Sequence, residues 1–221
     1  MKLLFSLITI FVFSSVYCKP DSLQMVKYTP DFEFNDGIFF SFEQVVKNNP
    51  IPKSRVISQT DFSDANFYNN LLVEKKVLYY NNLGQPYEVE TKNIWGYAKN
   101  GVLYINVNQT GSRITLVGNI SHFVANVISY SNNTINPYYG GAYDPYGFQT
   151  PVQATTEMQQ FILDFKTGKI YDYDVKGMEV VLMHDPELYD EYQNLSKKKK
   201  KQLKFIYIRK YNERNPLMFP K

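Results

Sequence analysis

The pair Asn100-Gly101 constrains the fold more than any other feature of the sequence. Asn-Gly readily adopts the positive φ angles of a type I′ turn, the tight turn that joins antiparallel strands. Runs of aromatic and β-branched residues flank the pair and predict a hairpin between residues 94–99 and residues 102–107. One face of the second strand is wholly apolar and should point into a core: Leu103, Ile105 and Val107. An isolated hairpin is marginally stable in water, so we expect further elements to cover it.

The middle of the chain continues the strand-like pattern. Segments rich in β-branched and aromatic residues occur at 75–80, 87–91, 113–117 and 123–130. The first two lead directly into the Asn100 hairpin, which predicts a meander of about four strands. Two more such runs, 160–165 and 169–174, flank Lys166-Thr167-Gly168 and predict a second hairpin. The sequence therefore predicts an antiparallel sheet centred on residues 75–130 and joined by this hairpin.

Helix-start signals dominate the C-terminal part. Asp185 and Ser196 are favoured N-cap residues, and Pro186 suits the first position of a helix. Residues 177–183 can form a further helix. We therefore predict an α+β fold, in which an antiparallel β-meander is followed by two or three C-terminal helices.

The first eighteen residues have the pattern of a signal peptide. Lys2 supplies a positive start, residues 3–13 an apolar run, and residues 14–18 a small and polar exit. The apolar run is too short for a permanent membrane-spanning helix. We expect residues 1–18 to be removed and the protein to be secreted, periplasmic or in the cell envelope. The alternative is a lipoprotein anchored through Cys18, although Tyr17 is bulky for the position before a lipidated cysteine.

The rest of the chain contains no cysteine, because Cys18 is the only one. This excludes disulfides, thiol catalysis and cysteine-based metal sites after cleavage. An exported protein of this size without disulfides fits a bacterial envelope. We expect a β-rich domain at residues 19–184 and a helical segment at residues 185–221 packed on it.

Two stretches resemble a known class of proteins. The run DGIFFSFEQVVKNNP at residues 36–50 resembles the opening of uncharacterised exported proteins from Bacteroidetes-type bacteria. DPELY at 185–189 and IRKYNERNP at 208–216 resemble the close of the same proteins. The resemblance implies an envelope location and brings no known activity, substrate or catalytic residue.

No catalytic constellation can be recognised. The two histidines, His122 and His184, lie beside Ser121 and Asp185, but adjacent residues on a strand point to opposite faces and cannot form a proton relay. An envelope-polymer hydrolase using acidic residues stays the alternative function, with three candidate carboxylates: Asp164, Asp172 and Asp174. Loops around Asp61–Asp64 and Asp144 lack the dense oxygen ligands of a Ca²⁺ site. We predict no metal site and no cofactor, and we leave the question of an enzyme open, leaning towards none.

The charge is strongly asymmetric. Residues 197–221 carry ten Lys or Arg and one Glu, whereas residues 19–196 carry thirteen basic and twenty acidic groups. The basic helix could make a peripheral contact with an anionic membrane. Alternatively, it packs on the sheet through Leu203, Ile206, Tyr207 and Tyr211, and its charges are neutralised by Asp185, Glu187, Asp190 and Glu191. Five consecutive lysines circle a helix and define no membrane-facing side, which favours packing. Nucleic acid is not an expected partner of an exported protein.

A tyrosine-rich loop is the strongest candidate for a binding surface. Residues 131–151 combine Asn, Gly and Pro with aromatic residues and fit neither a helix nor a regular strand. Four of its tyrosines could stack on sugar rings or on a protein: Tyr138, Tyr139, Tyr143 and Tyr146. The alternative is a loop that packs its aromatic residues on its own domain. The predicted function is binding of a protein or glycan partner by an exported envelope or surface protein.

Overall fold

The computed structural model describes residues 24–131 and 153–220. This part of the chain has an α+β fold, as the sequence predicts. Its strands are β1 Met25–Lys27, β2 Gly37–Phe39, β3 Val56–Ile57, β4 Lys76–Tyr80, β5 Pro86–Glu90, β6 Gly96–Lys99, β7 Val102–Val107, β8 Thr110–Leu116, β9 Ile120–Ser131, β10 Gln153–Asp164, β11 Lys169–Asp172 and β12 Met218–Pro220. Its α-helices are α1 Phe42–Val46, α2 Phe67–Val73, α3 Val175–Leu182, α4 Pro186–Gln193 and α5 Lys197–Arg214.

The main sheet has seven antiparallel strands in the order β11-β10-β9-β8-β7-β6-β2. Strands β6 to β11 follow one another as a meander, so the sheet grows by successive hairpins. The Asn100-Gly101 hairpin is confirmed: φ is +51° at Asn100 and +72° at Gly101, and Ala98 pairs with Leu103. Leu103 and Ile105 are buried, as their alternation predicts, and Val107 is half-buried against the same cluster. The second hairpin is also confirmed, because β10 pairs with β11 across the turn at Gly168.

The expected continuation of this meander towards the N-terminus is wrong. Strands β4 and β5 form a separate three-stranded sheet with β3 rather than joining β6. A 3₁₀ turn at Thr91–Asn93 separates the two sheets. The buried Thr91 anchors this turn, since its backbone N–H donates to Lys75 O at 3.1 Å and its hydroxyl donates to Glu74 O at 2.5 Å. These bonds turn the chain away before β6 begins.

Both faces of the main sheet are covered. One face buries Leu103, Phe123 and Leu163 in a cluster that also contains Phe34 and Phe219, from opposite ends of the described chain. Strand β12 brings Phe219 there by pairing with β1. On the other face, α2 packs over one end in a cluster with Tyr97, and α3, α4 and α5 pack over the other end. The sheet is therefore the middle layer of the fold.

The three C-terminal helices begin at side-chain caps. Asp174 Oδ1 accepts from Gly177 N at 2.7 Å, Asp185 Oδ1 from Leu188 N at 3.2 Å, and Ser196 Oγ from Lys199 N at 3.4 Å. The caps at Asp185 and Ser196 are the ones that the sequence predicts. The side of α5 that packs inward differs from the expectation in one residue, because Ile206 is exposed and Ile208 is buried instead. Among the described residues, no helix combines the length and apolarity needed to cross a membrane.

Candidate binding site

The longest hairpin of the main sheet leads to the tyrosine-rich loop. Strands β9 and β10 have 12 residues each and pair along their whole length, from Ile120 with Asp164 to Ser131 with Gln153. Strand β11 pairs only with the last four residues of β10, so the hairpin continues beyond it. The tyrosines predicted to bind a partner follow the last pair and lie outside the described residues: Tyr138, Tyr139, Tyr143 and Tyr146.

A polar pocket lies beside this hairpin. Its volume is about 500 Å³, and its lining comes from three parts of the chain: Lys92, Asn106, Asn108, Gln109 and Ile128. Ile128 belongs to β9 and is exposed. Asn108 and Gln109 form the two-residue turn between β7 and β8, with φ of +51° and +61°. Positive φ angles are typical of such tight turns, which also match the right-handed twist of the paired strands. The turn therefore presents two amide side chains next to the hairpin.

Hydrogen bonds to the 3₁₀ turn hold two of the pocket amides. Asn106 Nδ2 donates to Thr91 O at 3.0 Å and to Ile94 O at 2.9 Å. Gln109 Nε2 donates to Thr91 Oγ1 at 3.2 Å. Asn106 Oδ1 is buried and has no hydrogen-bond partner among the described residues. An acceptor in this condition costs about 1–3 kcal/mol, so a donor that reached it would be bound favourably.

The chemistry of the pocket suits recognition better than catalysis. Its lining has amides, one ammonium group and one aliphatic side chain, but no carboxylate, histidine or hydroxyl nucleophile. Lys92 Nζ is 2.7 Å from Glu90 Oε2, so its charge is already matched. Amides that can donate and accept, beside an aliphatic wall, fit an uncharged ligand rich in hydroxyl groups.

The Ser121-His122 pair forms no relay, as the alternation of a strand predicts. Ser121 Oγ donates to Gly118 O at 2.8 Å, whereas His122 Nε2 donates to Gln160 Oε1 at 3.1 Å on the other face. Both residues are buried. Burial lowers the pKa of His122, and the nearby charge of Lys204 lowers it further. His122 is thus a structural histidine, in contact with the rings of Tyr173 and Phe205.

The second histidine has a partner that sequence reasoning missed. His184 Nε2 lies 3.0 Å from Oδ2 of the buried Asp164, across the junction between the β10–β11 turn and the loop joining α3 to α4. Asp164 also accepts from Lys166 N at 2.9 Å and from Thr167 Oγ1 at 2.7 Å. Through these hydrogen bonds the Asp164 carboxylate stabilises the turn between β10 and β11. No sequence signal could have joined residues 164 and 184 before the fold was known.

The other candidate carboxylates do not converge with Asp164 on one pocket. Asp172 is exposed, and Asp174 caps α3. A larger open groove of about 670 Å³ contains the exposed Asp31 and Glu33, but no histidine. Asp61 is turned towards its own loop, where it accepts from Ser63 N at 2.8 Å. Within residues 24–131 and 153–220, no three His, Cys, Asp or Glu side chains are grouped as a metal would require.

Comparisons with known proteins return no relative. Neither the known protein families, nor the curated proteins, nor the solved structures contain a match to this chain.

Proposed function

We propose that this is an exported envelope or surface protein that binds a partner without catalysing a reaction, and that the partner is a glycan rather than a protein. The observation that carries the proposal is the geometry of the longest hairpin. The tyrosine-rich segment follows its last residue pair in the chain, and a hydrogen-bonding pocket lies beside the same hairpin. A partner bound by the loop could therefore extend into the pocket.

The two surfaces provide complementary contacts to a sugar. Tyrosine rings stack on the apolar faces of sugars with little loss of side-chain entropy. The amides of Asn108 and Gln109 can donate to and accept from hydroxyl groups. The aliphatic face of Ile128 adds an apolar contact. A protein partner would use the tyrosines equally well, but the polar pocket favours the glycan.

The test is binding of the chain from residue 19 onwards to immobilised polysaccharides, namely laminarin, xylan, chitin and peptidoglycan, and to protein from envelope extract. One variant replaces Tyr138, Tyr139, Tyr143 and Tyr146 with alanine. Its matched control is Tyr80→Ala with Tyr87→Ala, two exposed tyrosines of the smaller sheet. We expect the loop variant to lose about tenfold or more in glycan affinity for each ring that is a contact, and the control to bind normally.

A second variant tests the pocket separately. Asn108→Gly with Gln109→Gly removes both amides but keeps a turn that tolerates positive φ, so the hairpin should persist. We expect it to weaken glycan binding while the tyrosines are intact. Equal capture by wild type and the loop variant would refute the loop as the contact. Release of soluble sugar during incubation would instead support the hydrolase that uses acidic residues.

A further inference from the structure

The packing of α5 divides its cations into two sets. Those of the first set form ion pairs or hydrogen bonds with other parts of the protein. Lys200 Nζ lies 2.9 Å from Glu179 Oε1, and Lys210 Nζ lies 2.6 Å from Glu191 Oε1. Lys204 donates to Tyr173 O at 2.6 Å and lies over the ring of the same residue. These side chains are held by α3, by α4 and by the residues after β11.

The second set faces outward. Lys197, Lys198, Lys199, Lys201 and Arg209 are exposed, and none of them has an ion pair among the described residues. Because the helix advances 100° per residue, all of these positions except Lys197 lie on one side of α5, together with Phe205 and Ile206. Phe205 is 41% exposed and Ile206 49% exposed. We call this side, formed by Lys198, Lys199, Lys201, Phe205, Ile206 and Arg209, the outer face of α5.

The opposite side of α5 is fixed in the core. Tyr207, Ile208 and Tyr211 are buried in the cluster that joins the three C-terminal helices to the sheet. The outer face is therefore held in a constant orientation, with its unpaired cations arranged around two exposed apolar side chains. Five consecutive lysines circle a helix and define no membrane-facing side. The packing of α5 does define one, because it leaves the outer face exposed.

We propose that the outer face of α5 docks on the surface of an anionic phospholipid bilayer. The unpaired cations complement the negative headgroups, and each contributes to binding near the charged surface. Ile206 can enter the boundary between headgroups and acyl chains, where burial of apolar surface is favourable. Phe205 packs against His122 and Tyr173 and contributes only the exposed part of its ring. A nucleic acid would also attract the cations, but it offers no apolar layer for Ile206. The contact is peripheral, because the inner side of α5 stays packed on the protein.

Sedimentation with vesicles tests this proposal. The chain from residue 19 onwards is mixed with phosphatidylcholine vesicles that contain about 30 mol% phosphatidylglycerol, or none. We expect binding to the anionic vesicles only, weakening as salt is raised. Lys198→Gln, Lys199→Gln and Lys201→Gln together should lower the partition coefficient about 100-fold. The matched control removes three exposed lysines from other elements, at Lys75, Lys169 and Lys176, and should bind within about twofold of wild type.

A second variant separates insertion from simple attraction. Ile206→Ser keeps every charge and leaves Phe205 in its contacts with His122 and Tyr173. We expect it to bind about fivefold more weakly, most clearly at high salt. Circular dichroism confirms that each variant is folded before binding is measured. Equal binding by wild type and the triple-lysine variant would overturn the proposal. So would equal binding to pure phosphatidylcholine, or binding to duplex DNA without binding to the anionic vesicles.

Discussion

Replacing Gly111 with alanine should destabilise the protein by about 3 kcal/mol, because strand β8 leaves no room there for a Cβ atom. A Cβ at Gly111 would lie 2.4 Å from Tyr97 Oη and 2.5 Å from Tyr97 Cε1. Tyr97 cannot move freely, since its ring stacks between two others. Its centroid is 4.6 Å from that of Tyr68 and 4.8 Å from that of Tyr104, with interplanar angles of 7° and 12°.

The magnitude follows from what the displaced ring loses. Overpacking of a filled site costs about 1–3 kcal/mol. Loosening two stacked pairs costs a further fraction of the roughly 0.5–1.5 kcal/mol that each contributes. Tyr97 Oη also hydrogen-bonds to Asn69 Oδ1 at 3.1 Å, a contact whose loss costs about 1 kcal/mol. These losses overlap, because the ring can move to relieve the clash, so about 3 kcal/mol is expected rather than their full sum.

Urea unfolding measures the effect. With a slope of about 2 kcal/mol per molar, the midpoint should fall by about 1.5 M. The control is Thr110→Ala. Thr110 lies on the same strand and is exposed, so this substitution should change the free energy of unfolding by less than about 0.5 kcal/mol. Burial raises the pKa of Tyr97 to about 12, so an absorbance titration of the folded variant should show one tyrosine ionising at lower pH. An unchanged midpoint together with an unchanged titration would refute the steric argument.

Three further outcomes are expected elsewhere in the molecule. Asp164→Asn should lower the free energy of unfolding by about 1–2 kcal/mol, because an amide cannot accept from three donors as the carboxylate does. Asp172→Asn is the control, since Asp172 is exposed. Equal effects of the two substitutions in thermal or urea unfolding would contradict a stabilising role of Asp164. Burial lowers the pKa of His122 below its ordinary value of about 6.5, so the unfolded chain takes up a proton first and stability falls as the pH drops below that value. His122→Gln should reduce this slope, and an unchanged slope would show that the titration lies elsewhere. The intact mass of exported protein should correspond to a chain beginning at Lys19, whereas a diacylglyceryl group on Cys18 would establish the lipoprotein.

The sequence predicts those parts of the fold that short-range chemistry determines. Asn100-Gly101 specifies its hairpin because few residue pairs adopt two successive positive φ angles. Asp185 and Ser196 specify helix starts because their oxygens accept from backbone N–H groups three residues on. Both signals act within about six residues and need no knowledge of the remaining chain.

Long-range pairing accounts for what sequence reasoning missed. Strand β1 lies in a segment without a clear period, and it pairs with β12 almost two hundred residues later. The separation of β5 from β6 depends on Thr91, whose bonds to Glu74 and Lys75 become visible only in the folded chain. Threonine in a strand-like run gives no local sign that the strand will stop. The expected meander was therefore too long at its N-terminal end.

The candidate site also has one part that the sequence predicts and one part that it does not. The tyrosine-rich loop is predicted from composition, because aromatic residues occur there among Asn, Gly and Pro, and it stays a prediction because its tyrosines lie outside the described residues. The pocket beside its hairpin is not evident, since Lys92, Asn106 and Ile128 come from three separate elements. Each is an ordinary residue in its own segment. Only the register of β7, β8 and β9 brings them to one place.

The two halves of α5 meet different surroundings, and Asp185 explains why. This buried carboxylate caps α4 through Oδ1. Its Oδ2 forms an ion pair with Arg214 Nε at 3.1 Å and accepts a hydrogen bond from Asn215 Nδ2 at 3.1 Å. It therefore joins the start of α4 to the end of α5, and Glu187 and Glu191 on α4 then lie within reach of the cations near that end. The acidic side chains of α4 are used at the C-terminal half of α5. Most lysines at its N-terminal half consequently have no ion-pair partner within the described part of the chain.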